Sequence, residues 1–441
     1  MTAAAATCFR STILAAMLLP LTTPSGAQSL APNEQQLAAY VDAHTKEAVD
    51  LLTRLVNINS GTLNPAGVRQ VGAAIRAELD RLGFVTRWEP GDSFHRAGHL
   101  VGRRRGSGPR FLLIGHLDTV FEPDSPFQQL EWLDSARARG PGVIDMKGGD
   151  VIIIQALKAL ASVRALDGLD ITVVMTGDEE EPGEPLATAR RALIEAAQGI
   201  DVALGFEDAH GDVRTVAANR RGAASWTLRV TGRPAHSSQI FKPDVGDGAI
   251  YEAARILDGF RERLAGEQYL SFNPGVILGG TTVEFDPSEA RGTAFGKTNV
   301  VAEHTVVHGD LRTISPEQLA RASAAMQTVV AESLPHTSAQ LTFDEGYPPM
   351  APTAGNMELL AAYDRASRDL GLGQVTASDP SLAGAADISF VASLVPMALD
   401  GLGLKGQDDH TANETADMTA LPIQTKRAAV LIYRLGRKPH S

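Results

Sequence analysis

The chain has 441 residues, of which 44% are hydrophobic and 21% are charged. This length is too great for one hydrophobic core, so we expect two or three domains. The net charge of −12 argues against a nucleic-acid partner and gives no basic surface for anionic membranes.

The first element of the chain has the pattern of a signal peptide. Arg10 precedes the apolar stretch 11–24, and the small residues 25–27 follow it. The apolar stretch is too short to span a bilayer. We therefore expect a cleavable signal peptide at 1–27, export to the periplasm or the cell exterior, and no membrane attachment after cleavage.

The only cysteine, Cys8, lies inside this segment. The mature chain therefore has no thiol, which excludes cysteine catalysis, zinc–thiolate sites and disulfides. Export without disulfides suits a bacterial periplasm, because a large hydrophobic core removes the need for cross-links.

The mature chain opens with helical and strand-like segments that alternate. In chain order these are helix 33–58, helix 65–83, strand 98–104, strand 110–118, helix 148–166 and strand 170–178. The assignments follow from apolar periodicity and from helix stop signals. Alternating strands and helices predict an α/β sheet with helices on both faces. In such sheets, ligands bind beyond the carboxyl ends of the strands.

The sequence pattern changes near residue 219 and changes back after residue 347. The segments between these points are strand 222–232, helix 244–265, strand 276–285, strand 299–313 and helix 316–334, and helices 356–370 and 420–436 follow. The middle group suits a small α+β sandwich. We therefore predict a catalytic domain in two parts, 28–218 and 336–441, with an inserted domain at 219–335.

Histidine and carboxylate side chains follow the predicted strands. His116 and Asp118 stand two residues apart at the end of a strand, so they share a face and the carboxylate can brace a metal-binding imidazole. Asp145 precedes a helix, and Glu179 and Glu180 follow the next strand. Taken singly, these motifs are a polar strand edge, a helix N-cap and a solvated charge run. Together, carboxylates and imidazole without thiolate are typical of a hydrolytic zinc site.

Two further motifs complete a known series, namely Glu207 within 203–209 and His410 within 408–414. The series resembles the co-catalytic zinc family of glutamate carboxypeptidase, aminoacylase, acetylornithine deacetylase and succinyl-diaminopimelate desuccinylase. The likeness covers about residues 40–435 in the same order, and it is greatest to the glutamate carboxypeptidase branch. It implies an α/β, mixed-sheet dizinc exopeptidase catalytic domain with an inserted α+β two-layer sandwich for the lid and dimerisation.

The resemblance also implies a ligand set for two Zn²⁺ ions per subunit, for which Co²⁺ or Mn²⁺ can substitute. In this family Asp145 would bridge the two ions. His116 and Glu207 would complete one site, and Glu180 and His410 would complete the other. Asp208, beside Glu207, is left open as an alternative ligand.

The same resemblance assigns the catalytic groups. Asp118 would orient His116, and Glu179 would be the general base. The family also has a cis peptide bond after the bridging aspartate, which here lies between Asp145 and Met146. A buried glutamate whose pKa is raised toward neutrality suits proton transfer at neutral pH.

Three residues of the inserted domain match further family positions. His236 matches a histidine that stabilises the tetrahedral oxyanion, often across a homodimer formed through this domain. Asn299 and Arg312 match positions that hold the carboxylate of the substrate, and a guanidinium fork suits a carboxylate well. Without the resemblance, His236 is an ordinary loop histidine and Arg312 an ordinary surface ion pair.

The sequence therefore predicts an exported, zinc-dependent carboxypeptidase. It would cleave the amide bond before a C-terminal amino acid with a free carboxylate, glutamate or a similar residue, in a small peptide or an N-acyl amino acid. A deacylase or dipeptidase on the same metals is the nearest alternative. A non-catalytic periplasmic binding protein of the same fold is the alternative from another class.

Overall fold

The computed structural model of the protein describes residues 29–208, 212–287, 289–382 and 384–437. The predicted signal peptide at 1–27 lies outside the described residues. Within those ranges, no helix is both long enough and apolar enough to cross a membrane.

The first part of the chain supplies most of a central sheet and the helices that cover it. Its elements are α1 (Pro32–Ala43), α2 (Thr45–Val56), α3 (Pro65–Arg81), β1 (Val85–Pro90), β2 (Gly98–Arg104), β3 (Arg110–His116), β4 (Glu131–Trp132), β5 (Arg137–Arg139), α4 (Lys147–Ser162), β6 (Asp170–Thr176), α5 (Leu186–Ala189), α6 (Arg191–Ala196), β7 (Val202–Gly205) and β8 (Thr215–Val216).

The middle of the chain forms a second sheet with two helices. Its elements are β9 (Gly222–Thr231), α7 (Gly248–Leu264), β10 (Ser271–Gly280), β11 (Thr282–Asp286), β12 (Arg291–Phe295), β13 (His304–Thr313), α8 (Pro316–Val330) and β14 (Ser338–Tyr347). We call this segment, residues 222–347, the inserted unit.

The last part returns to the first sheet. Its elements are α9 (Ala354–Asp369), β15 (Thr376–Ala377), β16 (Met397–Leu399), β17 (Gly406–Gln407), β18 (Thr415–Asp417) and α10 (Ala420–Gly436).

The central sheet has six strands in the order β1-β2-β6-β3-β7-β16. Strands β6, β3, β7 and β16 run parallel, whereas β1 and β2 pair antiparallel at one edge. Parallel strands align their carboxyl ends, so the residues that follow β3, β6 and β7 meet at one edge of the sheet. The predicted mixed-sheet α/β fold is confirmed.

Apolar side chains cover both faces of this sheet. Phe111 and Leu113 of β3 belong to a core with the helices α2, α4 and α10, whereas Leu112 and Ile114 belong to a core on the opposite face. Successive side chains of a strand point to opposite faces, so a continuous apolar run is what a strand buried on both sides requires.

The inserted unit is a two-layer sandwich. Its four-stranded sheet has the order β10-β13-β9-β14, and α7 and α8 pack on one face of it. Trp226 is fully buried at the centre, with its ring edge against Phe260 at 5.8 Å between centroids. The predicted α+β sandwich is thus present.

Several predicted elements are shorter in the structure, such as β13, which begins at His304 and not at residue 299, and three larger differences change an element or a boundary. His44 interrupts the helix predicted at 33–58, and its ring stacks on Tyr40 at 3.8 Å. The strand predicted at 276–285 is two strands, because the chain leaves the sheet at Thr281 to form the hairpin β11–β12. Strand β14 lies beyond the predicted boundary at residue 335 and pairs with β9, so we propose that the inserted domain ends at Tyr347.

Candidate metal centre

The carboxyl end of β3 places the first histidine. His116 and Asp118 are both fully buried there. The Nδ1 atom of His116 lies 3.2 Å from the carbonyl oxygen of Asp118 and 3.5 Å from its carboxylate Oδ1. Both contacts turn the other ring nitrogen, Nε2, away from Asp118. The expected bracing of the imidazole is therefore made by the backbone as well as by the carboxylate.

The Asp118 carboxylate also organises the segment after β6. It accepts hydrogen bonds from the backbone N–H groups of Glu179 and Glu180, both at 3.1 Å, and from the Thr62 hydroxyl at 2.7 Å. Burial would raise the pKa of Asp118, but His116, together with these hydrogen bonds, holds the pKa below its usual value. Asp118 thus links the ends of two neighbouring strands.

A tight turn carries Asp145 into the same space. The peptide bond between Asp145 and Met146 is cis, as the resemblance implies. The carboxylate of Glu414 accepts hydrogen bonds from the backbone N–H groups of Gly142, Ile144 and Asp145 at 2.9, 2.8 and 3.2 Å. Burial, and then the neighbouring Asp145, raise the pKa of Glu414 to about 8.

Glu414 was missed at the sequence level. It ends the motif that contains His410, but nothing in its spacing shows that it reaches a turn 270 residues earlier in the chain. Its full burial in a polar segment is visible only in the folded chain.

A small sheet brings His410 to the turn of Asp145. Strands β17 and β18 form a hairpin whose loop, 408–414, contains His410. Strand β18 pairs with β5, which directly precedes the turn. His410 itself has a left-handed backbone, with φ of 58°. Pairing between distant parts of the chain therefore explains how this histidine joins the others.

The Asp145 carboxylate stands between the two histidines. Its Oδ1 lies 3.0 Å from His116 Nε2, and its Oδ2 lies 2.9 Å from His410 Nε2. Glu207 Oε2 lies 3.7 Å from His116 Nε2, and Glu180 Oε2 lies 3.0 Å from His410 Nε2. The five side chains thus form two groups of three that share Asp145, and the ligand atoms of each group lie within 4.8 Å of one another.

The chemistry of the two groups fits divalent metal ions. Each group offers one imidazole nitrogen and two carboxylates, a donor set typical of catalytic zinc. The Oε1 atom of Glu180 is buried and has no hydrogen-bond partner among the described residues, which leaves it available to a cation. Asp208 was left open as an alternative ligand. Within the described ranges, it is Glu207 that belongs to the group of His116.

The pKa shifts in the cluster also indicate an excess of carboxylates. Burial raises the pKa of Glu180 to about 8 and that of Glu207 to about 7. Hydrogen bonds to Asp145 and Glu180 raise the pKa of His410 to about 11. Burial would lower the pKa of His116, but Glu207 and other carboxylates outweigh it and hold the pKa well above its usual value. Bound cations would place positive charge among these carboxylates.

Glu179 stands beside this cluster and outside both groups of three. Burial, and then the charge of Glu207, raise the pKa of its carboxyl well above the usual value. Adjacent residues carry their side chains in different directions, and the Asp118 carboxylate holds the backbone N–H groups of both Glu179 and Glu180. One neighbour can therefore bind metal while the other serves as a base.

The inserted unit brings together two of its three predicted residues. The backbone N–H of Ser237 donates to the Asn299 carbonyl at 2.9 Å, which places His236 beside Asn299. His236 is exposed, and its Nδ1 accepts a hydrogen bond from the Ser238 backbone N–H at 3.3 Å, which leaves Nε2 to carry the ring proton. Arg312 pairs instead with Asp310 at 2.8 Å, and no hydrogen bond or ion pair within the described ranges joins it to His236 or Asn299.

The model of the peptidase family M20/M25/M40 matches residues 112–434, which is more than half of the chain. The chain belongs to this family. The predicted membership of the co-catalytic metallopeptidases and the assignment as a metallo-exopeptidase are confirmed.

Curated relatives of this chain match it over most of their length. The chain is similar to carboxypeptidase G2 from Pseudomonas sp. (strain RS-16), 26% identical over 402 residues that cover 88% of this chain and 89% of that protein. It is also similar to a succinyl-diaminopimelate desuccinylase from Sphingopyxis alaskensis, 26% identical over 402 residues that cover 88% and 97%. A solved dinuclear metal-binding peptidase of the M20 family from Bacillus subtilis has a TM-score of 0.63 at 16% identity, covering 90% of this chain and 100% of that one.

Proposed function

We propose that the protein is a zinc-dependent carboxypeptidase that removes a C-terminal amino acid of the glutamate type. The observation that carries the proposal is the Asp145 carboxylate, which presents one oxygen to each of two histidines in different parts of the chain. Two Zn²⁺ ions per chain suit the two groups of three donors. The similarity to carboxypeptidase G2 supports this substrate class.

The residues present divide the reaction between them. When bound, the metal ions would lower the pKa of a water molecule and polarise the scissile carbonyl. Glu179 would take a proton from the attacking water and pass it to the leaving nitrogen as the carbon–nitrogen bond breaks. The Nε2 of His236 would donate to the developing oxyanion, and Asn299 and Arg312 would hold the free carboxylate of the substrate.

The experiment that tests this function is a panel of N-acyl amino acids and dipeptides incubated with zinc-loaded mature protein. We expect fastest release of C-terminal glutamate or aspartate. Preference for acyl groups over C-terminal residues would favour the deacylase or dipeptidase alternative, which the desuccinylase relative supports. Two bound metals with no turnover of any member would refute the proposal and favour the binding protein.

We also propose a homodimer formed through the inserted unit. Large apolar side chains are exposed around α7 and the edge strand β10, namely Phe241, Ile250, Tyr251 and Ile277. The rings of Phe241 and Tyr251 lie 5.5 Å apart, so this surface is contiguous there. Exposed apolar patches of this kind mark association sites. Sedimentation should give a dimer, and Tyr251→Glu should give a monomer; a monomeric wild type would contradict the proposal.

Export remains a prediction from the sequence and becomes part of the proposal. Cleavage after Ala27 would make Gln28 the first residue of the mature protein. Cell fractionation with N-terminal sequencing tests this. Full-length protein retained in the cytoplasm would contradict it.

A further inference from the structure

A buried charged cluster lies behind the segment that carries Glu179. Arg190 is fully buried between two aspartates. It donates to Asp178 Oδ1 at 2.7 Å and to the Asp178 carbonyl at 2.9 Å. Its Nε forms an ion pair with Asp387 Oδ1 at 2.7 Å, although the N–H does not point along that contact. The permanent charge of the guanidinium thus offsets two carboxylates. Asp178 directly precedes Glu179 in the chain, and Asp387 comes from a distant segment.

Tyr347 joins this cluster from the inserted unit. It is the last residue of β14, and its hydroxyl accepts a hydrogen bond from Arg190 Nη2 at 2.6 Å. Its ring packs edge-on against Phe390 at 4.8 Å between centroids, and the Arg190 guanidinium lies 5.5 Å from both rings. The orientation of the hydroxyl is therefore set by an aromatic contact and by a buried cation.

The hydroxyl of Tyr347 then donates to the backbone carbonyl of Glu179 at 2.9 Å. The backbone N–H of Glu179 is already held by Asp118. The residue is therefore fixed on both sides, by the end of β3 through Asp118 and by the inserted unit through Tyr347. A side chain acts efficiently as a base only when it stays within hydrogen-bond reach of the proton that it removes.

We infer that Tyr347 is a positioning residue for Glu179, and that the inserted unit thereby sets the place of the general base. The inference rests on the proposed function for the assignment of Glu179 as the base. Within the described ranges, Tyr347 makes no hydrogen bond or ion pair with the residues of the two donor groups; it acts through the Glu179 carbonyl.

The test compares two tyrosine variants that lose the same atom. Tyr347→Phe removes the hydroxyl and keeps the ring. Tyr363→Phe is the matched control, because Tyr363 is also buried, donates to Gln424 at 3.2 Å and lies beside Arg427, but in α9. Metal content, kcat and KM are measured for both, together with hydrogen exchange of the peptide that spans residues 177–184.

We expect Tyr347→Phe to lower kcat about tenfold, as the loss of one hydrogen bond does, with KM and metal content close to the wild type. The amides of Glu179 and Glu180 should exchange at least about fivefold faster. The control should change neither quantity. Equal kcat values for the two variants, or unchanged exchange in 177–184, would overturn the inference.

A second variant separates this inference from the proposed function. In a Glu179→Gln background, the loss of the Tyr347 hydroxyl should lower the residual rate no further, because a positioning residue has no effect without the group that it positions. An additive loss would overturn the inference. If the wild type turns over no substrate, the proposed function fails, and the exchange rates alone decide whether Tyr347 holds the segment.

Discussion

Asp118→Asn changes one atom at the point where two strand ends are joined. The Asp118 carboxylate accepts from two backbone N–H groups and from the Thr62 hydroxyl, and it is fully buried. An asparagine keeps one acceptor oxygen and turns an NH₂ group toward the remaining partners. Because the hydroxyl can rotate and accept while a backbone N–H cannot, Glu179 or Glu180 must lose its partner.

The expected loss of zinc affinity follows from the one hydrogen bond that is lost. One lost hydrogen bond to a buried charged group costs about 1.5–3 kcal/mol, or roughly 10- to 150-fold in an equilibrium constant. The Asp118 carbonyl still faces His116 Nδ1 at 3.2 Å, so the orientation of the imidazole is partly preserved. We therefore expect zinc affinity to fall about 10- to 100-fold, the usual range for groups that orient metal ligands.

Zinc affinity is measured by competition with a chromophoric chelator, and thermal unfolding is followed for the metal-free protein. Asp258→Asn is the control, because that carboxylate is exposed and, in the part of the chain that the structure describes, pairs only with Arg261 on the same helix. The control should leave both quantities unchanged. Zinc affinity within twofold of the wild type for Asp118→Asn would refute the reasoning, since the two N–H groups would then not depend on the carboxylate.

Four further predictions follow from the same geometry. Glu179→Gln should keep its metals and lose at least about a hundredfold in kcat, measured at full zinc loading; retained turnover would exclude Glu179 as the base. Glu414→Gln turns an NH₂ toward at least one N–H of the Asp145 turn, so the free energy of unfolding should fall by about 1–3 kcal/mol in denaturant titration, and an unchanged midpoint would contradict this. Gly149→Ala places a methyl group 1.9 Å from the Phe206 carbonyl oxygen and should destabilise the fold by about 1–3 kcal/mol. Gly168→Ala should not, because no neighbouring atom of the described residues lies within 4 Å of the added methyl group. The raised pKa of Glu180, from 4.5 to about 8, means that this carboxyl holds its proton more tightly in the folded metal-free protein than in the unfolded chain, so its contribution to stability should fall as pH rises from about 4.5 to about 8. Glu180→Gln should therefore shift the pH dependence of unfolding toward greater relative stability at high pH, and an identical pH dependence would contradict this contribution.

Local patterns in the sequence predicted the parts of the site that follow buried strands. His116 ends one apolar run and Glu179 lies three residues beyond another, and both runs are long enough for parallel strands, which share one functional edge. The divergence of Glu179 and Glu180 also follows from their adjacency. The gathering of these side chains therefore needed no knowledge of distant contacts.

The parts that the sequence did not reveal depend on pairing between distant segments. Glu414 and Tyr347 are ordinary residues of a loop and a strand end until β18 meets β5 and β14 meets β9. The position of His410 was predicted only through the resemblance, because its loop joins the Asp145 turn through the small sheet of β17 and β18. The two helices that meet at His44 were predicted as one, because the apolar periodicity continues across the break.

Metal content by equilibrium dialysis tests the central claim, that Asp145 is shared by two metal sites. The account predicts two zinc ions per chain for the wild type, one for His116→Ala, one for His410→Ala and none for Asp145→Ala, because that carboxylate belongs to both groups of three. Circular dichroism would show that each variant is folded. A single zinc ion in the wild type, or one ion retained by folded Asp145→Ala, would contradict the account.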